Sequence, residues 1–153
     1  MRRKDRETSR EEALAILDRS SWAVLSAADK DNKPYCVPLS LVRDGDWLYF
    51  HCAKEGQKLD ILRARPGVCA AFVGNTEFPE DKFTVFYESA IVFGAAEEVN
   101  GSEEKLHGLR ILSERFTPGN MHAFDAEAGQ MLDKTSVWKI HIDKITGKRR
   151  KKQ

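Results

Sequence analysis

Apolar residues recur at helical intervals near the start of the chain. Ala13, Ile16 and Leu17 form one apolar stripe, and Ser9 stands three residues before Glu12, which is the spacing of a capping box. We therefore expect the first helix here. Similar intervals predict two more helices, at residues 56–66 and 102–116.

Other segments carry short apolar runs or alternate apolar with polar residues, as strands do. We expect six strands, at residues 22–28, 35–42, 47–52, 67–74, 83–99 and 136–145. The Asp-Gly pair in RDGD (43–46) predicts a tight hairpin between the second and third strands. Residues 117–135 are expected to be irregular, with one further helical turn. Because strands and helices do not alternate regularly, the pattern favours a small antiparallel barrel with peripheral helices over a doubly wound sheet.

The long strand at 83–99 is apolar on both faces. One face carries Val85, Tyr87, Ile91 and Phe93, and the other carries Phe86, Ala90 and Val92. A barrel strand needs only its inner face apolar, so the outer face needs a cover. The chain's own helices or a second subunit would each supply one. We expect a homodimer, because two-fold association is the commonest arrangement.

The composition of the 153 residues indicates one globular domain: 41% are hydrophobic and 32% are charged. No apolar run approaches the about 20 residues of a membrane span, and the N-terminal segment MRRKDRETSREE lacks the apolar region of a signal peptide. The cysteines Cys36, Cys52 and Cys69 form no CxxC pair. We expect a cytoplasmic protein with reduced thiols and no membrane association.

The positive charge is concentrated at the end of the chain. The segment KRRKK (148–152) supplies +5 of a net charge of +1, which leaves the remainder at −4. Such a run is able to bind nucleic acid or anionic lipid, but it has no interleaved aromatic residues. We interpret residues 148–153 as a solvated basic tail after a single domain at 1–147, and we expect no nucleic-acid partner.

The candidate chemistry lies in YFHCAKEGQK (49–58), where a strand-like run ends in a compact polar group. Leu48 and Phe50 suit the barrel interior, so His51 is expected to point outward. Lys54 and Lys58 are four residues apart, and Gly56 lets the backbone approach a ligand closely. Free N–H groups at a helix start attract phosphate. The segment is therefore either a phosphate site or an ordinary passage from a strand into a solvated helix.

Pro38 in CVPLS is the second unusual feature, because proline cannot donate a hydrogen bond to a sheet. Either this strand is an edge strand blunted by proline, or its free main-chain groups contact a planar heterocycle. The residues themselves leave both readings open.

Five blocks then carry a resemblance to a known family: MRRKDRE, YCVPLS, LYFHCAKEGQKLDIL, FYESAIVFG and KITGK, in that order. Together they resemble the 5-nitroimidazole resistance proteins, within the pyridoxamine 5′-phosphate oxidase-like, flavin-binding split-barrel superfamily. The resemblance covers nearly the whole chain, and residues 117–135 are its least diagnostic part. It implies a six-stranded antiparallel split β-barrel of Greek-key type with peripheral helices, all-β to α+β in class, and a dimer with two FMN sites at the interface.

The resemblance also implies roles for particular residues. The FMN phosphate would be held by the segment from His51 to Lys58, and the isoalloxazine would lie along β-strand residues 37–39. The implied cofactor contacts are Val37, Pro38, Leu39, His51, Cys52, Ala53, Lys54, Lys58 and Ser89. His51 would also be the catalytic residue, either binding phosphate or giving a proton to the substrate. The implied activity is reduction of nitroimidazole-like or related small electrophiles.

Other cofactors are also considered. Some split-barrel relatives bind haem through a histidine, so a non-catalytic flavin- or haem-binding module for cofactor storage or sensing is the alternative function. His107, His122 and His141 are scattered along the sequence, and no metal site is expected. No GxGxxG fingerprint identifies an electron donor.

Overall fold

The computed structural model describes residues 2–152, which form nine strands and four α-helices. The strands are β1 (Glu7–Thr8), β2 (Ala23–Ala28), β3 (Pro34–Leu39), β4 (Val42–Asp44), β5 (Trp47–Ala53), β6 (Gly67–Glu77), β7 (Phe86–Glu98), β8 (Thr135–His141) and β9 (Lys144–Arg150). The helices are α1 (Arg10–Arg19), α2 (Gln57–Ala64), α3 (Ser102–Phe116) and α4 (Phe124–Met131). Short 3₁₀ helices lie at Lys4–Arg6 and Pro118–Ala123. No helix among these residues is long and apolar enough to span a bilayer.

All strand pairs are antiparallel, and the strand order is β3-β2-β6-β7-β8-β5-β4, with β9 pairing with both β7 and β1. The 13-residue strand β7 holds the two halves together. Its residues from Tyr87 to Phe93 pair with β9, and those from Ala96 to Glu98 pair with β8. The sheet therefore curls and splits, and the predicted class, an antiparallel split barrel with peripheral helices, is confirmed.

The strand count exceeds the predicted six for two reasons. β1 and β4 contain only two and three residues, too few for a period to show. The segment predicted as one strand at 136–145 breaks at residues 142–143 into β8 and β9. The bend between them lies so close to Gly94 that a Cβ atom there would overlap the carbonyl of His141.

The core lies inside the curled sheet and is closed by α1 and α2. Phe50, Phe72, Trp138 and Ile140 are at most 2% exposed at its centre. Leu48 joins them from β5, so the predicted inward face of this strand is confirmed. Ser9 caps α1, because the backbone N–H of Glu12 donates to Ser9 Oγ at 3.2 Å, but the Glu12 carboxylate binds Arg149 and does not complete a capping box.

The predicted hairpin pairs different residues than expected. We expected residues 35–42 to pair with 47–52. Instead, strand β3 ends at Leu39, and the short strand β4 forms the hairpin with β5. Leu41 lies between β3 and β4 and is only 4% exposed, so its burial in the core anchors the turn of the chain between these two strands. β3 pairs with β2 alone, so Pro38 lies on an edge strand, as one of the two readings required.

The basic tail begins later than predicted. Lys148, Arg149 and Arg150 belong to β9, so the sheet continues past the predicted boundary at residue 147. Arg149 is drawn into the fold by two carboxylates: it donates to Glu88 at 3.2 Å and to Glu12 at 2.9 Å. The solvated-tail interpretation is therefore wrong for these three residues.

Candidate functional site

The end of β5 and the start of α2 border a small cavity together with one residue of β3. Its volume is about 200 Å³, and its lining residues are Tyr35, Cys52, Ala53, Glu55, Gly56, Gln57, Lys58 and Leu59. β3 and β5 do not pair with each other, so the curl of the sheet alone brings Tyr35 to this position. The cavity contains the predicted phosphate segment and reaches the predicted flavin strand.

Gly56 sets the direction in which α2 begins. Its φ of +138° is one that residues with a Cβ rarely adopt. The N–H groups of Leu59 and Asp60 both donate to the carbonyl of Gly56. The preceding N–H groups, those of Gln57 and Lys58, have no acceptor among residues 2–152. Two free donors at the positive end of a helix favour an anion in this cavity.

Lys58 adds a full positive charge at the same place. Its Nζ atom lies 5.4 Å from the centre of the Phe50 ring. Within the described part of the chain, no carboxylate approaches this ammonium within 4.0 Å. The Lys58 residue is partly buried, and an anion bound in the cavity would supply the counter-charge that its ammonium lacks among residues 2–152.

Lys54 is placed differently. α2 begins only at Gln57, so Lys54 precedes the helix and does not share a helix face with Lys58. It is exposed and does not line the cavity. The structure therefore separates the two lysines that the sequence pattern treats as a pair.

His51 lies on the outward face of β5 and is exposed, as predicted. Protein atoms packed around the imidazole lower its pKa, and the positive charge of Lys58 lowers the pKa further. The ring is therefore mainly neutral at pH 7 and acts as a hydrogen-bonding group, not as a cation. Burial raises the pKa of the Cys52 thiol more than Lys58 lowers it, so this thiol stays protonated at neutral pH.

The predicted flavin strand β3 presents its main chain at an open edge. Val37 and Leu39 are partly buried and pack against the core, whereas Pro38 points outward and is exposed. The side chains of Val37, Pro38 and Leu39 lie on the two faces of the sheet, so they do not cover the main-chain groups along the free edge of β3. Ser89, in contrast, is not brought to this cavity. It lies on β7, and β2 and β6 separate it from β3.

The sheet carries an apolar surface on the side turned away from the core, which we call the outer face. Pairing registers place Pro38, Val24, Ala71 and Ile91 in one row across it. The buried residues of α1 and α2 pack in the inner core, so they do not cover this row. Phe93 at 44% exposure flanks the row on β7. Neither α1 nor α2 therefore covers this row.

A larger cavity of about 650 Å³ lies at the meeting point of the two chain ends and contains none of the predicted site residues. The smaller cavity remains the candidate site because it combines free N–H donors, an uncompensated ammonium and an open strand edge. Among residues 2–152, no three His, Cys, Asp or Glu residues are close enough together to hold a metal ion.

Sequence reasoning missed Tyr35 and Leu59 as lining residues, and it included Glu55 and Gln57 only as unnamed members of the segment from His51 to Lys58. Tyr35 follows the DKDNKP turn, and no pattern in the sequence relates this turn to a helix more than 20 residues later. The free N–H of Gln57 was implied by the predicted helix start, but only the structure fixes that start at residue 57.

Comparison with known proteins agrees with this architecture. The pyridoxamine 5′-phosphate oxidase family model matches residues 9–149. A candidate 5-nitroimidazole antibiotic resistance protein from Bacteroides thetaiotaomicron has a similar structure, with a TM-score of 0.78 and 26% identity over 92% of this chain and 84% of that chain. A FAD- and haem-binding protein from Mycobacterium smegmatis has a TM-score of 0.74 and 25% identity, over 96% of this chain and 74% of that chain.

A third similar structure is that of a FAD-binding protein from Mesorhizobium loti. Its TM-score is 0.71 at 24% identity, over 95% of this chain and 98% of that chain. At that identity the likeness establishes the fold alone. The family match and these structures agree with the curled antiparallel sheet.

Proposed function

Because the chain belongs to the pyridoxamine 5′-phosphate oxidase family, we propose that it is an FMN-binding flavoprotein that reduces nitroimidazole-like or related small electrophiles. The observation that carries this proposal is the start of α2. There, two free N–H groups and the ammonium of Lys58 converge on a cavity beside an open strand edge. The likeness to the Bacteroides protein supports the substrate class.

The phosphate end of the cofactor fits the cavity. A phosphate monoester accepts hydrogen bonds on several oxygens and carries up to two negative charges. The N–H groups of Gln57 and Lys58 would donate to it, and the Lys58 ammonium would neutralise it. Gly56 permits the backbone turn that directs these donors. Lys54 would contribute only a long-range attraction, because it lies outside the cavity.

The flavin ring would lie along the free edge of β3. Among residues 2–152, β2 is the strand that pairs with β3, so the other edge of β3 near Pro38 is free for the ring. Bound FMN would supply the redox chemistry, and the chain's residues would hold and orient it. His51, outward on β5 and neutral at pH 7, would offer a hydrogen bond to the cofactor or the substrate without adding a charge.

The cavity of one chain is too small to enclose the whole cofactor. At about 200 Å³ it falls below the roughly 300–1,000 Å³ of typical ligand sites. A second subunit placed over the outer face would cover the apolar row that includes Val24, Ala71 and Ile91 and would lie beside Pro38. We therefore propose a homodimer whose interface completes two FMN sites. In such a dimer Ser89, which lies on the same face of β7, would contribute to the site of the partner subunit.

The alternative function is a non-catalytic flavin- or haem-binding module for storage or sensing. Two observations favour keeping it. A protein of similar structure from Mycobacterium smegmatis binds FAD and haem, and the exposed, mainly neutral imidazole of His51 is a suitable haem ligand. Haem ligation by His51 would sharpen and shift the Soret band of added haemin, and His51→Ala would leave the spectrum like that of free haemin.

The cheapest test of the proposal is the visible spectrum of the purified protein. We expect a yellow protein, or one that becomes yellow and quenches flavin fluorescence after incubation with FMN. A protein that is colourless after incubation with excess FMN and removal of the unbound flavin would contradict flavin binding. If the bound flavin is reduced but never reoxidised by a 5-nitroimidazole or a quinone, the binding-module alternative is favoured over the reductase.

A further inference from the structure

The larger cavity, of about 650 Å³, lies where the two ends of the chain meet. It is bordered by β1 and the segment before it, by the residues that lead into β7, and by the end of β9 with Lys151. Its volume is within the roughly 300–1,000 Å³ of typical small-molecule sites. None of the residues proposed to bind FMN lines it.

The lining of this cavity is strongly basic. Its basic residues are Arg3, Arg6, Lys82, Arg149, Arg150 and Lys151, and its acidic residues are Asp5, Glu7 and Glu12. The lining therefore carries three more positive than negative charges, although the chain as a whole has a net charge of only +1. Such an excess of positive charge in a concave site attracts negatively charged ligands from solution.

Two of the three acidic residues are already paired. Asp5 binds Arg3 at 2.6 Å, and Glu12 binds Arg149 at 2.9 Å. In contrast, Lys82, Arg150 and Lys151 have no carboxylate within 4.0 Å in the described part of the chain. Three cations without a counter-ion thus border one cavity, and the remaining lining carboxylate, Glu7, compensates at most one of them.

We propose that this cavity is a second ligand site, which takes a small anion carrying two or more phosphate groups. Lys82, Arg150 and Lys151 would pair with the phosphates, and the ring of Phe86 would contact an organic part of the ligand. The hydroxyl of Thr84, another lining residue, is buried without a hydrogen-bond partner among residues 2–152. Rotation of this side chain would let the hydroxyl join the site.

The same charges favour a small anion over nucleic acid. The cations border a cavity of limited volume, and they stand among the carboxylates of Asp5, Glu7 and Glu12. An extended phosphate backbone would have to pass the carboxylate of Glu7, which has no ion-pair partner among residues 2–152, and would be repelled by it. A small polyphosphate needs to reach only the three uncompensated cations. This cavity shares no lining residue with the proposed FMN site, so either proposal can be contradicted without affecting the other.

Amide NMR of the full chain, titrated with sodium pyrophosphate, tests the location. We expect saturable shifts at residues 82–86 and 149–151, weakened by added salt because the contacts are ionic. Shifts confined to residues 56–59 would assign the anion to the FMN cavity and overturn the proposal. So would the absence of saturable shifts.

Matched lysine variants test the charges by calorimetric titration with pyrophosphate. We expect the double variant Lys82→Gln, Lys151→Gln to weaken binding by about tenfold or more. Lys30→Gln in an exposed turn removes the same kind of charge and should leave binding unchanged. Unchanged binding in the double variant, or an equal loss in the control, would overturn the proposal. Tighter binding of a short DNA duplex that depends on the same lysines would also overturn it, in favour of a nucleic-acid surface.

Discussion

The ammonium of Lys58 distinguishes a phosphate site from an ordinary helix start, because it has no carboxylate partner in the described part of the chain. A charge-assisted hydrogen bond to phosphate contributes roughly 1.5–3 kcal/mol. We therefore expect Lys58→Ala to weaken FMN binding by about tenfold to a hundredfold. Riboflavin, which lacks the phosphate, should be nearly indifferent to the change. Flavin-fluorescence titration with both ligands measures the contrast.

Lys54→Ala is the matched control for this experiment, because Lys54 is nearby but exposed and outside the cavity. It should weaken FMN binding by less than about threefold, as expected of a solvent-screened charge. Equal losses of FMN and riboflavin in Lys58→Ala would show that the lysine supports the structure. Losses of equal size in the two lysine variants would show a general electrostatic effect instead of a direct contact.

The titration of His51 reports on the positive charge of Lys58. His51 is exposed at the surface, but the protein atoms close to its ring partly desolvate it, and this effect and then the charge of Lys58 hold its pKa below the ordinary value of 6.5. We expect an NMR titration midpoint below 6.5 in the wild type. In Lys58→Ala the midpoint should rise but remain below 6.5, because the partial desolvation persists. A midpoint that does not move would mean that Lys58 is directed away from His51.

At the scale of elements, a buried ionic cluster joins α1, β7 and β9. Glu88 on β7, which is 6% exposed, accepts two hydrogen bonds of 2.7 Å from Arg19 and one of 3.2 Å from Arg149. It also accepts one from the backbone N–H of Asn75 at 3.1 Å. The hydrogen bonds from Arg19 contribute most to lowering the pKa of Glu88 to about 2, against the opposing effect of burial.

A carboxylate whose folded-state pKa is lowered stabilises the fold above its unfolded pKa and loses this contribution as the pH falls. For Glu88 the window runs from about 4.5 down to about 2. We expect Glu88→Gln to lower the free energy of unfolding by roughly 1–3 kcal/mol at pH 7. The difference from wild type should shrink towards pH 2. Urea denaturation at several pH values tests this, and a difference independent of pH would assign the loss to packing.

The elements also show what the sequence could and could not predict. The N-cap at Ser9 and the outward direction of His51 depend on local pattern, and the structure confirms them. Local pattern left the edge position of Pro38 as one of two readings, and the strand order selects it. The contact of Tyr35 with the start of α2 depends on how far the whole sheet curls, which local pattern does not encode. The tail was misread because the partner that draws Arg149 into the fold, Glu88, lies 61 positions away in the sequence.

At the scale of the whole molecule, the outer face is an apolar surface that neither α1 nor α2 covers. If it forms the proposed dimer interface, a charge in its central row should separate the subunits. Ile91→Glu places a carboxylate in that row, beside Ala71. We expect light scattering to show a dimer for the wild type and a monomer for this variant, with weaker FMN binding in the monomer.

Lys134→Glu is the control for this variant, since it lies in a turn away from the outer face. It should remain dimeric. A monomeric wild type would contradict the dimer proposal, and a variant that stays dimeric would move the interface to another surface. Circular dichroism of Ile91→Glu should match the wild type, because the side chain points away from the core.

A crystal structure of the protein with FMN tests the central claim most directly, because it locates the phosphate. We predict phosphate oxygens about 3 Å from the backbone nitrogens of Gln57 and Lys58 and from Lys58 Nζ, with the flavin ring along the free edge of β3. A flavin phosphate bound elsewhere, for example between Arg150 and Lys151 in the larger cavity, would contradict the account.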